Sequence, residues 1–146
     1  MAPAAATGTT TRRGSSLHPS ASSSASAERA SPRREFSLPE DCLFCKLVRE
    51  ADHVAKTDGF VAIRDIYPRA DTHLLVLPER HVPSFREIGE FPPDEARRML
   101  EFVAETAREA GLDDYRVVVN VGEGGGQTIF HLHWHILGGQ IRGLPQ

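Results

Sequence analysis

Three histidines stand at every second position in TIFHLHWHIL (128–137), namely His131, His133 and His135. In an extended chain, side chains at i, i+2 and i+4 share one face. The three rings therefore face one way, while Leu132, Trp134 and Ile136 face the other and point toward a core. Core filling explains the row poorly, because three polar rings stacked on a buried face are costly without partners. Metal binding explains it better, since neutral imidazole is a common zinc ligand. Yet His131 and His135 would lie roughly 13 Å apart at ~3.3 Å per residue, so two adjacent ligands with a remote one make the easier site. The third possibility is nucleophilic catalysis. A neutral imidazole attacks well near pH 7 if one nitrogen is bare and the other donates to a group that fixes the tautomer. Neighbouring rings on the same face can then orient it and protonate a leaving group.

The residues just upstream suggest what is attacked. GEGGG (122–126) is a glycine loop whose backbone N–H groups can approach an anion closely, and Gln127 and Thr128 add an amide and a hydroxyl. An anion site beside a histidine nucleophile points to attack on phosphorus, through a phosphoryl- or nucleotidyl-histidine.

The elements that must position these groups are legible in outline. FVAIRDI (60–66) alternates as a strand, and THLLVLP (72–78) is an apolar run closed by Pro78, as expected of a buried strand. CLFCKLVRE (42–50) suggests a short helix or turn carrying Cys42 and Cys45, and SFREI (84–88) a short helix. The strongest helix spans 93–110. Ala96, Met99, Leu100, Val103, Ala107 and Ala110 form its apolar stripe, Pro92 and Pro93 precede it, and Gly111 stops it. YRVVVNV (115–121) and IFHLHWHIL (129–137) read as an antiparallel hairpin with a wide glycine loop, ended by Gly138 and Gly139. The expected fold class is α+β, an antiparallel sheet with one main helix packed on a face.

Composition bounds the rest. The first 34 residues are low-complexity Ala, Ser, Thr and Arg and carry +4, which leaves −7 on the remainder. With almost no large apolar side chains, this stretch cannot offset its ordering entropy. Residues 1–36 are expected to be a disordered tail or an organellar transit peptide, and residues 37–146 the folded domain. An acidic domain disfavours nucleic acid as a partner. The absence of a long apolar run disfavours a membrane span, and no signal-peptide pattern is visible. The expected location is the cytoplasm, or a plastid or mitochondrion if the tail is a transit peptide. The lone CxxC gives no disulfide framework and leaves a metal site, a redox pair or two packed thiols open.

Taken together, CLFCK, FVAIRDIYPRADTHLLVLPERH, VVVN and GGGQTIFHLHWHILGG occur in an order that resembles the histidine triad nucleotide-binding proteins, the phosphoramidase-type branch of the histidine triad (HIT) family. The resemblance covers about residues 42–139. It implies a homodimer and no catalytic cofactor. His133 would be the nucleophile, His135 would assist the leaving group and His131 would support the array. Asp65 would bind the ribose hydroxyls and Ile66 would line the nucleoside pocket. His73 would stand near the histidines and Asn120 near phosphate and ribose, with Gly126, Gln127 and Thr128 around the phosphate. Several relatives hold a structural zinc, for which Cys42, Cys45, His81 and His131 would be the set here. If His131 ligates, it is not free for acid–base work. Three departures stand out: the family often has serine where Thr128 stands, and the extra methyl bears on leaving-group preference; an Ile-Pro is missing after the CxxC, so the first β-hairpin is expected to differ; and the C-terminal segment, which in relatives often reaches toward a dimer partner's site, lacks a tryptophan found in some of them, which bears on substrate preference. The expected activity is hydrolysis of purine nucleoside 5′-phosphoramidates through a nucleotidyl-histidine intermediate. The rivals are a dinucleoside polyphosphate hydrolase or nucleotidyl transferase of the same family, a metal hydrolase, and a nucleotide-binding regulator with little turnover.

Overall fold

The computed structural model describes residues 41–146, and Gly8 alone before them. The tail or transit peptide expected over 1–36 lies outside the described residues. The chain divides into two units at 34/35, and the fold below belongs to the second.

Five strands make one sheet: β1 (Ala55–Thr57), β2 (Phe60–Arg64), β3 (Ala70–Pro78), β4 (Tyr115–Val118) and β5 (Trp134–Ile141). Their order is β1-β2-β3-β5-β4, with each neighbouring pair antiparallel. Helix α1 (Leu43–Glu50) lies against one face of the sheet and α2 (Pro93–Glu109) against the other.

Alternation within the strands divides the core in two. Phe60, Ala62, Leu74, Val76, Trp134 and Ile136 pack with Met99, Phe102, Val103 and Ala107 of α2. Val61, Ile63, Leu75 and Leu77 pack with Phe44 and Val48 of α1. Leu132, Trp134 and Ile136 thus all lie on the α2 side, as the two-residue period predicts.

Pro93 occupies the first turn of α2, where its missing N–H costs nothing, and Asp94 and Glu95 sit at the positive end of the helix dipole. At the other end Gly111, at φ +77°, closes a Schellman turn: its N–H donates to the Arg108 carbonyl and the Leu112 N–H to that of Ala107. The buried arc is Met99, Phe102, Val103, Thr106 and Ala107, which keeps Met99, Val103 and Ala107 of the expected stripe and adds Phe102 and Thr106. Leu100 and Ala110 are exposed and Ala96 is half-buried. The arc turns toward Phe102, whose large ring packs in the core with Met99, Val103 and Ala107, and away from Leu100. SFREI lies in a 3₁₀ turn, Phe85–Glu90, opened by a Ser84/Glu87 capping box.

The expected hairpin needs correction. β5 begins at Trp134 rather than Ile129, and it runs through Gly138 and Gly139 to Ile141. Glycines that read as a stop instead carry a bulge. The register against β3 shifts between Thr72↔Gly138 and Ala70↔Ile141, with Gly139 at φ +74°. Asp71 ties this bulge down, accepting from the Gln140 N–H (2.8 Å) and from Arg142 (2.8 Å). The first β-hairpin is present, with the short strand β1 paired antiparallel to β2. Among the described residues no helix is long and apolar enough to cross a membrane.

Candidate active site

His135 lies in β5 opposite Leu75 of β3 and Val118 of β4, in the heart of the sheet. His73 lies in β3 opposite Leu137, so its ring falls diagonally beside that of His135. His131 and His133 precede the ladder, in a segment that bends through His131 and is anchored by the Leu132 N–H, which donates to the Val82 carbonyl (2.6 Å). All three triad rings are at most 3% exposed. They are as buried as the apolar core, and they are tolerated there because they have polar partners.

Those partners fix where each proton sits. A backbone carbonyl can only accept, so the ring nitrogen facing one carries the hydrogen. His133 Nδ1 faces the His131 carbonyl at 2.6 Å, so Nδ1–H donates and Nε2 keeps a bare lone pair. His131 Nε2 faces the Pro78 carbonyl at 2.9 Å, so Nε2–H donates and the His131 lone pair is on Nδ1. His73 Nδ1 accepts from the Arg69 N–H (2.9 Å), which puts the His73 proton on Nε2. That Nε2 stands 2.9 Å from His135 Nδ1 and 3.3 Å from the Asp65 carboxylate. Donation to His135 Nδ1 leaves the His135 proton on Nε2. Among the described residues this Nε2 is one of three buried side-chain polar atoms without a hydrogen-bond partner, with Thr106 Oγ1 and Trp134 Nε1. The result is a bare Nε2 on His133 and an unspent Nε2–H on His135, in rings whose centroids are 4.8 Å apart.

Burial keeps these rings neutral. It pushes His135 down to about 3, with the neighbouring His133 and His73 rings acting in the same direction. It pushes His131 down to about 4, opposed by the bond to Pro78. His133 is lowered by burial too, against the raising effects of its bond to the His131 carbonyl and of Asp65. Burial likewise lowers His73, opposed by Asp65.

The second cluster uses the other side of His131. The ligand atoms of Cys42, Cys45, His81 and His131 all lie within 4.8 Å of one another. His131 Nδ1 is 3.4 Å from Cys45 Sγ and 3.6 Å from Cys42 Sγ, and His81 Nδ1 is 3.2 Å from Cys45 Sγ. A tetrahedral zinc with arms of about 2.0–2.3 Å has ligand–ligand edges of roughly 3.3–3.8 Å, so the four residues fit that ion. The bond from His131 Nε2–H to a backbone carbonyl is also the outer support that zinc-binding histidines commonly have. Burial, reinforced by Cys42, pushes the Cys45 thiol up to about 11, so ligation there would release a proton. Only one of the three triad histidines enters this set. Asp65, His73 and His135 also lie within 4.8 Å of one another. The proton on His73 Nε2 makes them a hydrogen-bonded chain rather than a ligand set.

The remaining expected residues are placed as follows. Asp65 Oδ1 accepts from the Tyr67 N–H (2.7 Å) and holds the turn after β2, on which Ile66 is 77% exposed. Asn120 donates to the Pro145 carbonyl (2.9 Å) and sits 3.5 Å from that of Gly126. The Gln127 side chain is spent on the backbone, tying the loop to the segment before the 3₁₀ turn: Oε1 accepts from the Gly122 N–H (2.9 Å) and Nε2 donates to the Pro83 (2.8 Å) and Ile129 (3.0 Å) carbonyls. The N–H groups of Gly125, Gly126 and Gln127 also bond within the loop. Thr128 and Gly126 are exposed. Phe44 was missed. It stands between the two cysteines and packs edge-on against His133, centroid to centroid 4.8 Å. Its signal was its place inside the CxxC, but a phenylalanine on a short helix reads simply as core. The Arg69 N–H and the Pro78 and His131 carbonyls leave no trace in residue type.

The fold and this row of buried, tautomer-fixed histidines define a class of α+β proteins built around a histidine triad. The HIT domain family model matches residues 46–141, and the chain belongs to that family. The purine nucleoside phosphoramidase of Escherichia coli K12 is 33% identical over 111 residues, covering 73% of this chain and 93% of that protein. A HIT-like protein of Chlamydia pneumoniae is 44% identical over 98 residues, covering 64% and 86%. Among solved structures, a histidine triad protein from Clostridium difficile superposes with a TM-score of 0.61 at 35% identity, covering 73% of this chain and 95% of that one. A HIT family hydrolase from Legionella pneumophila gives 0.60 at 36% identity, covering 71% and 97%. Hydrolases are thus among the relatives of this chain.

Proposed function

We propose that this protein hydrolyses purine nucleoside 5′-phosphoramidates, with His133 as the nucleophile. The observation that carries the reading is the 2.6 Å bond from His133 Nδ1 to the His131 carbonyl, which leaves Nε2 as the attacking lone pair. His133 Nε2 forms a bond to phosphorus as the P–N bond of the substrate breaks. The leaving amine needs a proton, and the His135 Nε2–H beside His133 is the donor whose hydrogen bond is unspent. Water then attacks the same phosphorus, the bond to His133 breaks, and the water proton replenishes the triad. The nucleoside monophosphate leaves. In this reading the exposed Thr128 hydroxyl holds the phosphate and Ile66 offers the base an apolar surface, while the Asn120 amide joins the phosphate only by releasing the Pro145 and Gly126 carbonyls. His73, held by Asp65 and the Arg69 N–H, keeps His135 in the donor tautomer.

The reaction uses no catalytic metal in this reading. Cys42, Cys45, His81 and His131 would hold a zinc whose role is structural. A second copy of the chain belongs to the reading as well, because β4 is a sheet edge with Tyr115 and Val117 exposed.

The test is AMP release from an adenosine phosphoramidate by the wild type and by His133→Ala. The wild type should turn over and the variant should not. Equal release by both would overturn the mechanism. AMP binding by a wild type that releases nothing would favour a regulator instead.

A further inference from the structure

Residue 131 serves both clusters, its ring the cysteines and its backbone the nucleophile. We infer that the Cys42–Cys45–His81–His131 cluster is a positioning device, in which zinc ligation holds His133 in the tautomer and orientation that attack requires. This rests on the function proposed above.

Two connections carry it. The first is His131 itself. Its Nδ1 faces the two thiols and its Nε2–H is tied to the Pro78 carbonyl, so ligation fixes the residue from both sides of the ring. Its carbonyl, in a peptide whose N–H (Leu132) already donates to the Val82 carbonyl (2.6 Å), is then held from the ring side as well, and that oxygen is what accepts His133 Nδ1–H. The second is Phe44. It lies between Cys42 and Cys45 on the first turn of α1, and its ring meets those of both His133 (4.8 Å, 89°) and His131 (6.2 Å, 71°). Ligation of the two cysteines fixes that turn and so presses Phe44 against the nucleophile. Without ligation, the cluster is joined by thiol–imidazole contacts of 3.2–3.6 Å, and thiols are weak donors. His131 and Phe44 then gain freedom together, and the His133 proton can move between its nitrogens. A cavity of about 500 Å³ lined by Cys45, Arg49, His53, Lys56, Glu79 and His81 opens on the cluster. It gives zinc and chelators a route there.

The experiment reads the tautomer directly. The full chain is labelled with ¹⁵N-histidine, and long-range ¹H–¹⁵N correlation at neutral pH shows which His133 nitrogen is bare. With zinc(II) bound, a single Nδ1–H pattern is expected. Chelation should mix the tautomers and lower kcat for AMP release about 10–100-fold at unchanged KM, and zinc(II) should restore both. His81→Ala should behave like the stripped protein, and His81→Cys, which keeps a fourth ligand, like wild type. Phe44→Leu leaves all four ligands in place. It should retain zinc by atomic emission, which guards against variants that fail to fold, and still lose kcat. Three results would overturn the inference. These are a folded, zinc-free protein with the His133 pattern and kcat of wild type, a protein that takes up no zinc(II), or a Phe44→Leu variant with unchanged kcat. Lack of any phosphoramidase activity would instead sink the hydrolase reading alone, since the tautomer is read on the resting protein.

Discussion

His135→Asn separates leaving-group assistance from every other role of His135. Asparagine carries its terminal atoms where the ring carries Nδ1, so Oδ1 can still accept from His73 Nε2–H, a bond of 2.9 Å in the native protein. What is lost is the Nε2–H, a donor with no other partner among the described residues. General acid catalysis contributes about 10²–10⁴-fold, or about 3–5 kcal/mol of barrier. That whole factor should be lost when the leaving group is an alkylamine, which cannot depart as an anion. It should shrink below about tenfold for an adenylate ester with a nitrophenolate leaving group, which departs without a proton. His135→Gln, whose amide reaches toward the Nε2 position, should recover part of the loss. The assay is kcat/KM for both substrates with wild type and the two variants. If His135→Asn slows both substrates by the same factor, His135 holds phosphate or the fold instead, and the tautomer chain from Arg69 through His73 to His135 has been misread.

Stability responds to two features of the fold. Burial holds the folded-state pKa of His135 far below the unfolded value of ~6.5, so the unfolded chain binds more protons between those values. Its stabilising effect is complete above ~6.5 and is lost as pH falls toward about 3, at up to about 1.4 kcal/mol per pH unit. Urea unfolding from pH 7.5 to 5 should show the decline, and a flat profile would contradict neutral burial. Gly139→Ala puts a side chain at φ +74°, with its Cβ 2.7–2.8 Å from Asp71 atoms. Denaturant midpoints should report a loss of about 1–3 kcal/mol, and an unchanged midpoint would mean that the bulge relaxes freely.

Much of this molecule can be read along the chain. Periodicity of two puts Leu132, Trp134 and Ile136 on the core side because strand geometry is local. Pro93 and Gly111 bound α2 for equally local reasons of φ and missing N–H. The Cys42–Cys45 spacing and the three histidines announce a metal or catalytic chemistry by type alone. Sequence reading fails where a distant strand decides. Gly138 and Gly139 look like an ending, but pairing with β3 carries β5 past them. Leu100 fits the helical stripe, but the sheet receives Phe102 instead.

The same division runs through the site. The sequence by itself determined which side chains could do chemistry and that they would share a face. The tertiary structure alone decided which nitrogen of His131 and of His135 is bare, whereas His133 takes its tautomer from the His131 carbonyl two residues away. A tautomer is chosen by the group opposite the ring, and for His131 and His135 those groups are the Pro78 carbonyl and His73, 53 and 62 residues away. Residue type cannot encode that choice, because imidazole is the same molecule read from either nitrogen until a fold places an acceptor beside one of them.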